Sequence, residues 1–188
     1  MTFTKRFNLF SAAVGTLLLA QFYAGGRTIE VDFSKLPDQS LPTWTRVGAG
    51  DREISNDILI LDSGTEESAG YIIRGDKLDY IWNGEWPVTL TFEARASRID
   101  DSPLPAAHLI CRGDGWRIQI PIIEEEWLRY EVTIDTEGNA TLQIDEKKPQ
   151  PLRMIHDSSS ARTIAFGDLG RFASGASEWR KLQWTDSL

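Results

Sequence analysis

Arg112, Arg117 and Gln119 alternate with apolar partners around Gly113-Asp114-Gly115, which reads as a hairpin turn. Guanidinium forks in such a setting bind sugar hydroxyls or carboxylates. Trp116 stands at the same turn, and Trp82 and Trp86 flank a second turn signal, Asn83-Gly84. Indole rings stack on the flat faces of sugars. With Arg74 at the end of another apolar run, the candidate ligand-binding residues are Arg74, Trp82, Trp86, Arg112, Trp116, Arg117 and Gln119. Packing in a core is the competing role for each tryptophan. Arg74-Gly75-Asp76 and Arg112-Gly113-Asp114 also spell the integrin-binding tripeptide. Adhesion needs that tripeptide on a protruding loop, whereas Gly-Asp after a strand is ordinary turn chemistry.

Groups suited to catalysis do not converge. Glu124-Glu125-Glu126 are consecutive, so an extended chain sends them to alternating faces. His108 and His156 are the only histidines, fewer than a zinc site usually recruits. Ser158-Ser159-Ser160 lacks the glycines of a nucleophile elbow. Cys111 is the only cysteine and sits in an apolar run, so it reads as a buried thiol, and no intrachain disulfide can form. No catalytic residue is assigned and no cofactor is implied. Asn139-Ala140-Thr141 is a glycosylation sequon on a turn, which matters only in a host that glycosylates.

The net charge is −8, and removing Lys5 and Arg6 from that total leaves −10 for the remaining chain. Nucleic-acid binding needs a basic footprint, so that partner class is excluded. Docking of the domain on anionic lipid is disfavoured for the same reason. Any link to a membrane then runs through the N-terminal segment.

Lys5 and Arg6 precede an uncharged run of 18 residues, Phe7 to Ala24, and Ala24-Gly25-Gly26 offers small residues for cleavage. Residues 1–26 therefore read as a signal peptide or an uncleaved membrane anchor. Either way the positive end stays cytoplasmic. Residues 27–188 are then extracytoplasmic: secreted, periplasmic or anchored.

From Arg27 onward apolar residues alternate with polar ones between turn signals. Ile29, Val31 and Phe33 form one set, and Leu90, Phe92, Ala94 and Ala96 another. Leu128, Tyr130, Val132 and Ile134 share a face in the first arm of a hairpin, with Leu142 and Ile144 inward in the second. Ser34 to Gly50 reads as a looping stretch, and Ser97 to Pro105 as a protruding loop. Trp179 and Trp184 fall on opposite faces of the last strand by simple alternation. The expected fold is all-β: a two-layer antiparallel β-sandwich of the jelly-roll kind, behind an N-terminal hydrophobic helix.

The order of segments resembles the concanavalin A-like lectin/glucanase superfamily, in its laminin-G-like branch. "YEVTIDTEGNATLQID" within Trp127–Asp145 looks like that family's paired strands. Ile164-Ala165-Phe166-Gly167-Asp168 resembles its penultimate strand, and "GASEWRKLQW" from Gly175 its closing strand. The pattern spans about residues 27–186, but Glu146 replaces the glycine usual after the hairpin. Calcium, known in some relatives, is compatible with the resemblance, but its ligands cannot be assigned here. The glucanase branch carries Glu-x-Asp-x-x-Glu on one strand, aiming carboxylates into one cleft. Glu30-Val31-Asp32-Phe33-Ser34-Lys35 departs from it, with Lys35 in place of the final acid. The resemblance thus implies a noncatalytic, carbohydrate-binding or protein-binding module whose partner is a glycan or an extracellular protein. Two alternatives stay open. One is a glycan-active hydrolase or lyase with an unrecognised site, and the other a structural domain of an anchored envelope protein.

Overall fold

The computed structural model describes residues 27–64, 68–79, 87–98, 105, 107–159, 161–170 and 175–186. The leader 1–26, Trp82, Trp86, the Asn83-Gly84 turn and most of the 97–105 loop lie outside them. The strands in chain order are β1 (Arg27–Glu30), β2 (Thr45–Val47), β3 (Asp51–Ser55), β4 (Ile58–Asp62), β5 (Gly70–Arg74), β6 (Val88–Arg98) and β7 (Ala107–Gly113). There follow β8 (Trp116–Ile122), β9 (Leu128–Ile134), β10 (Ala140–Ile144), β11 (Gln150–Pro151), β12 (Ile155–His156), β13 (Thr163–Gly167) and β14 (Gly175–Asp186). Helical structure among the described residues is limited to a 3-10 turn at Pro37–Gln39 and one turn of helix, α1 (Asp76–Asp79).

Two antiparallel sheets result. An eight-stranded sheet runs β11-β10-β9-β6-β14-β4-β3, with β1 also paired to β14. A six-stranded sheet runs β12-β8-β7-β13-β5-β2. Alternation explains the layering, because each strand hides one row of side chains and shows the other. Leu90, Phe92, Ala94 and Ala96 of β6 are buried, as are Tyr130, Val132 and Ile134 of β9. Opposite them lie Tyr71, Ile73, Leu109, Cys111, Ile118, Ile120, Ile164 and Phe166 of the six-stranded sheet, also buried. Burial pushes the Cys111 thiol well above its ordinary pKa, so it is an inert filler.

Phe166 is the hub between the layers. Its ring centroid lies 5.2 Å from Trp44, 5.9 Å from Tyr71 and 5.1 Å from Trp179. Trp179 reaches Phe92 at 5.6 Å, and Phe92 stacks on Tyr130 at 4.8 Å. One aromatic chain therefore crosses the sandwich.

The last strand corrects the simple alternation. Trp179 and Trp184 do not take opposite faces: both are buried, at 0% and 4% exposure. On β14 the step from Arg180 to Gln183 matches only the step from Glu93 to Thr91 on β6. That extra residue is a β-bulge. Lys181 sits in it with φ +56, and the bulge restores Leu182 and Trp184 to the core side. The stretch Ser34 to Gly50 is likewise not all loop, since β2 lies within it. There Asp38 accepts hydrogen bonds from Tyr71 Oη at 2.9 Å and Arg46 Nε at 2.9 Å, tying the 3-10 turn to β2 and β5.

Two turns follow from residue type. Asn56 and Asp57 link β3 to β4 with φ of 53 and 59, a two-residue hairpin loop that asparagine and aspartate tolerate. Asp135 closes the β9–β10 turn by accepting the backbone N–H groups of Glu137 and Asn139, each at 2.9 Å. Asn139 of the sequon is exposed, and its side-chain amide donates to Asp135 Oδ2 at 3.1 Å.

Candidate ligand-binding face

Strand register determines which side chains share the outer face of the six-stranded sheet. Arg74 on β5 pairs with Thr163 on β13, Thr163 with Arg112 on β7, Arg112 with Arg117 on β8, and Arg117 with Ile155 on β12. These residues form one row across the strands. The next row is Thr45, Ile72, Ala165, Ile110 and Gln119. The third is Val47, Gly70, Gly167, His108 and Pro121. Residues one step along each strand, such as Ile73, Ile164, Cys111 and Ile118, are buried in the core. Hence Arg74, Arg112, Arg117 and Gln119 all point away from it.

Trp116 is set apart from those four. It shares the side of Ile118 and packs against the core, and its indole covers Gly113. A Cβ added at Gly113 would lie 2.1 Å from Trp116 Nε1. Gly113 is therefore needed for close approach of the ring. Of the two Arg-Gly-Asp tripeptides, the one at Arg112 is part of a paired strand and turn rather than a free loop. The one at Arg74 runs into α1, where Leu78 N–H donates to Gly75 O at 2.9 Å.

Charge is distributed unequally between the two outer faces. On the eight-stranded sheet, Glu93 accepts from Arg180 Nε at 2.5 Å and Lys181 Nζ at 2.6 Å. Burial pushes the Glu93 carboxyl up, but these two cations outweigh it and hold it below its ordinary pKa. Arg95 pairs with Glu178 at 2.8 Å. Trp127 lies between the guanidinium carbons of Arg180, 4.2 Å from its ring centroid, and Arg95, at 5.1 Å. This network is not legible as a unit, since its members come from two strands far apart in sequence and a loop. A cleft of about 620 Å³ beside it is lined by Glu30, Asp32, Asn56, Asp57, Arg180 and Lys181. Its arginine and lysine are already committed to Glu93, and Asp32 lies 3.9 Å from Lys35.

The six-stranded sheet is different. Arg112 Nε lies 3.2 Å from Asp157 Oδ2, and Asp157 is held by its N–H to Gly115 O and by Ser159 N–H on Oδ1. Neither Arg74 nor Arg117 has a carboxylate partner among the described residues. Arg112 Nε and Arg117 Nε are both buried and neither makes a hydrogen bond there, the Arg112–Asp157 contact being an ion pair by distance alone. His108 is half-buried, and burial holds its imidazole below the ordinary 6.5, so it is neutral at pH 7. No group of three or more His, Cys, Asp or Glu among the described residues could hold a metal ion. Glu124, Glu125 and Glu126 are exposed.

Asp168, just past β13, is a buried carboxyl of another kind. Its Oδ1 accepts the Gly170 N–H at 3.0 Å, while Oδ2 has no hydrogen-bond partner among the described residues. Burial raises its pKa above the ordinary 3.8, against the lowering pull of Ser63 and Gly170. A raised carboxyl favours the folded state most below the unfolded pKa, and that advantage is lost as pH rises through the folded value. Asp168→Asn keeps the Oδ1 acceptor and removes the charge. Its stability relative to wild type is therefore expected to rise with pH from about 3.8 upward and then level off. Urea midpoints at a series of pH values measure this, and a gap independent of pH would contradict it.

No protein-family model matches the chain, and no curated protein does. Solved structures do resemble it. The carbohydrate recognition domain of Emp46p, in a metal-free form, has a TM-score of 0.54 at 10% identity, covering 85% of this chain and 97% of that one. The binding domain of botulinum neurotoxin DC in complex with rat synaptotagmin II has a TM-score of 0.53 at 16% identity, covering 86% and 48%. The same toxin domain in complex with SialylT has a TM-score of 0.55 at 15% identity, covering 88% and 48%. This chain thus spans about half the length of the toxin domains it matches. At these identities the likeness establishes the fold, a two-sheet β-sandwich of the kind found in carbohydrate-binding and receptor-binding domains.

Proposed function

We propose that the chain is a noncatalytic binding module, exposed outside the cytoplasmic membrane, whose outer six-stranded face meets a glycan or a protein partner. One observation carries this reading. The register brings Arg74, Arg112, Arg117 and Gln119 together in two adjacent rows on the outer side of the six-stranded sheet. Ile72 and Ile110 lie among them, so the face combines forked donors with apolar area. Polar groups set among apolar ones are the usual make-up of recognition surfaces. The structural relatives named above, a carbohydrate recognition domain and a toxin binding domain crystallised with a protein receptor, support the same class. Trp82 and Trp86, outside the described residues, keep the sugar-stacking role proposed for them from the sequence.

Probing an immobilised glycan array with the full chain tests the glycan form. Retention is expected, with loss in Gln119→Ala, Arg112→Gln and Trp82→Ala. A chain that folds and binds no sugar removes the glycan form and leaves a protein partner. The proposed export is tested separately, by mass spectrometry of the expressed product. A soluble product starting near Arg27 marks a cleaved signal peptide, whereas the intact N-terminus in the membrane fraction marks an anchor.

A further inference from the structure

Like charges placed directly opposite on neighbouring strands destabilise a sheet. Arg112 and Arg117 are such a pair, with Arg74 two strands away in the same row. Strand spacing puts the three at intervals of roughly 5 and 10 Å along the row. Asp157 is the one carboxylate paired with any of them among the described residues, 3.2 Å from Arg112 Nε without a hydrogen bond to it. That contact leaves the terminal nitrogens of the Arg112 fork for another oxygen. Arg117 Nε, buried and without an acceptor, is an unmet donor in the same place. Burying such a donor is unfavourable unless an acceptor arrives. The fold thus tolerates a repulsive row that an anionic ligand would relieve.

Resting on the binding face above, we infer that its ligand is an extended acidic polysaccharide whose carboxylates are taken by Arg74, Arg112 and Arg117. A planar carboxylate matches the guanidinium fork, which accounts for arginine rather than lysine at these positions. A row, rather than one pair, calls for charge repeated along a chain that crosses the strands. Thr163 and Ala165, outward between the arginine strands, are already covered at 7% and 5% exposure, so the arginine side chains themselves are what a ligand would meet. The net charge of −8 gives no general attraction for polyanions, so recognition is confined to this row. A sparsely charged polyuronate therefore fits better than a densely sulfated chain.

The test measures binding of the full chain to polygalacturonate, heparin and neutral dextran at low and moderate salt. Polygalacturonate is expected to bind best, more weakly as salt rises. Arg112→Gln and Arg117→Gln are each expected to lower affinity roughly tenfold to a hundredfold. Arg117→Lys, which keeps the charge but not the fork, is expected to recover only part. Arg129→Gln removes an exposed cation of the eight-stranded sheet and is expected to change nothing. Thermal melting of each variant separates lost binding from lost folding. Equal loss in Arg129→Gln, or binding by heparin alone, overturns the carboxylate row. Equal affinity for dextran and polygalacturonate overturns it too while leaving the glycan-binding reading intact. If all three polymers fail to bind and the array is also silent, the glycan reading itself falls.

Discussion

Replacing Phe166 by alanine is expected to destabilise the domain by about 3–5 kcal/mol, a large share of what holds a domain of this size together. The ring is fully buried and sits between the sheets against Trp44, Tyr71, Phe33 and Trp179. Three of these neighbours are themselves fixed. Tyr71 is held through its hydroxyl to Asp38, Trp179 Nε1 donates to Ser177 Oγ at 2.9 Å, and Trp44 is buried at 3% exposure. Walls of that kind cannot collapse into the space, so the cavity term adds to the lost transfer energy. Urea unfolding reads the change as a lower midpoint at an unchanged slope. A loss under about 1 kcal/mol would mean that the layers are not packed through this ring.

Deleting Lys181 is expected to be as damaging, for a different reason. The bulge supplies the one extra residue that keeps both Trp179 and Trp184 on the inner side of β14. Without it, everything beyond changes face or breaks its register with β6 and β1. Leu182 and Trp184 would then leave the core, at about 1.5–3 kcal/mol for each large apolar side chain. Lys181→Gly is the control. It keeps the residue count and suits the φ of +56, and it gives up only an exposed ion pair with Glu93. That pair is worth about 0–1 kcal/mol. Circular dichroism melting of the two variants should show the deletion unfolded or strongly destabilised and the glycine variant near wild type. A deletion tolerated as well as the glycine change would rule out this role for the bulge.

Alternation was enough to read the strands that have a buried face. β6, β9 and β10 follow their apolar pattern, and the β7–β8 hairpin turns at Asp114-Gly115 within Gly113-Asp114-Gly115. The strands not legible are β2, β3, β11 and β12, and all four lie at sheet edges. An edge strand is half solvated and short, so its sequence carries little period-2 signal. β3 reads Asp-Arg-Glu-Ile-Ser and is a strand because β4 offers it a partner. The bulge was hidden for a related reason. Lys181 has no residue-type signature, and the positive φ is imposed by pairing with β6.

The candidate face was partly legible. Arg112, Arg117 and Gln119 belong to one hairpin, so local alternation places them together. Arg74 joins them only through β13, which inserts between β5 and β7 and comes far later in the chain. Trp116 was a candidate for its position at the turn, but its alternation with Ile118 sends it inward over Gly113. Asp157, which orients Arg112, lies beyond an edge strand and had no local signal.

On the proposed function, a ligand sits on the outer face of the six-stranded sheet. Isoleucine methyl resonances of the full chain test it most directly during titration with a polygalacturonate oligosaccharide. Ile72 and Ile110 report on that face, and Ile60, paired with Glu178, reports on the outer face of the other sheet. Ile72 and Ile110 are expected to shift with increasing ligand while Ile60 stays in place. Saturable shifts at Ile60, with Ile72 and Ile110 unmoved, would contradict it.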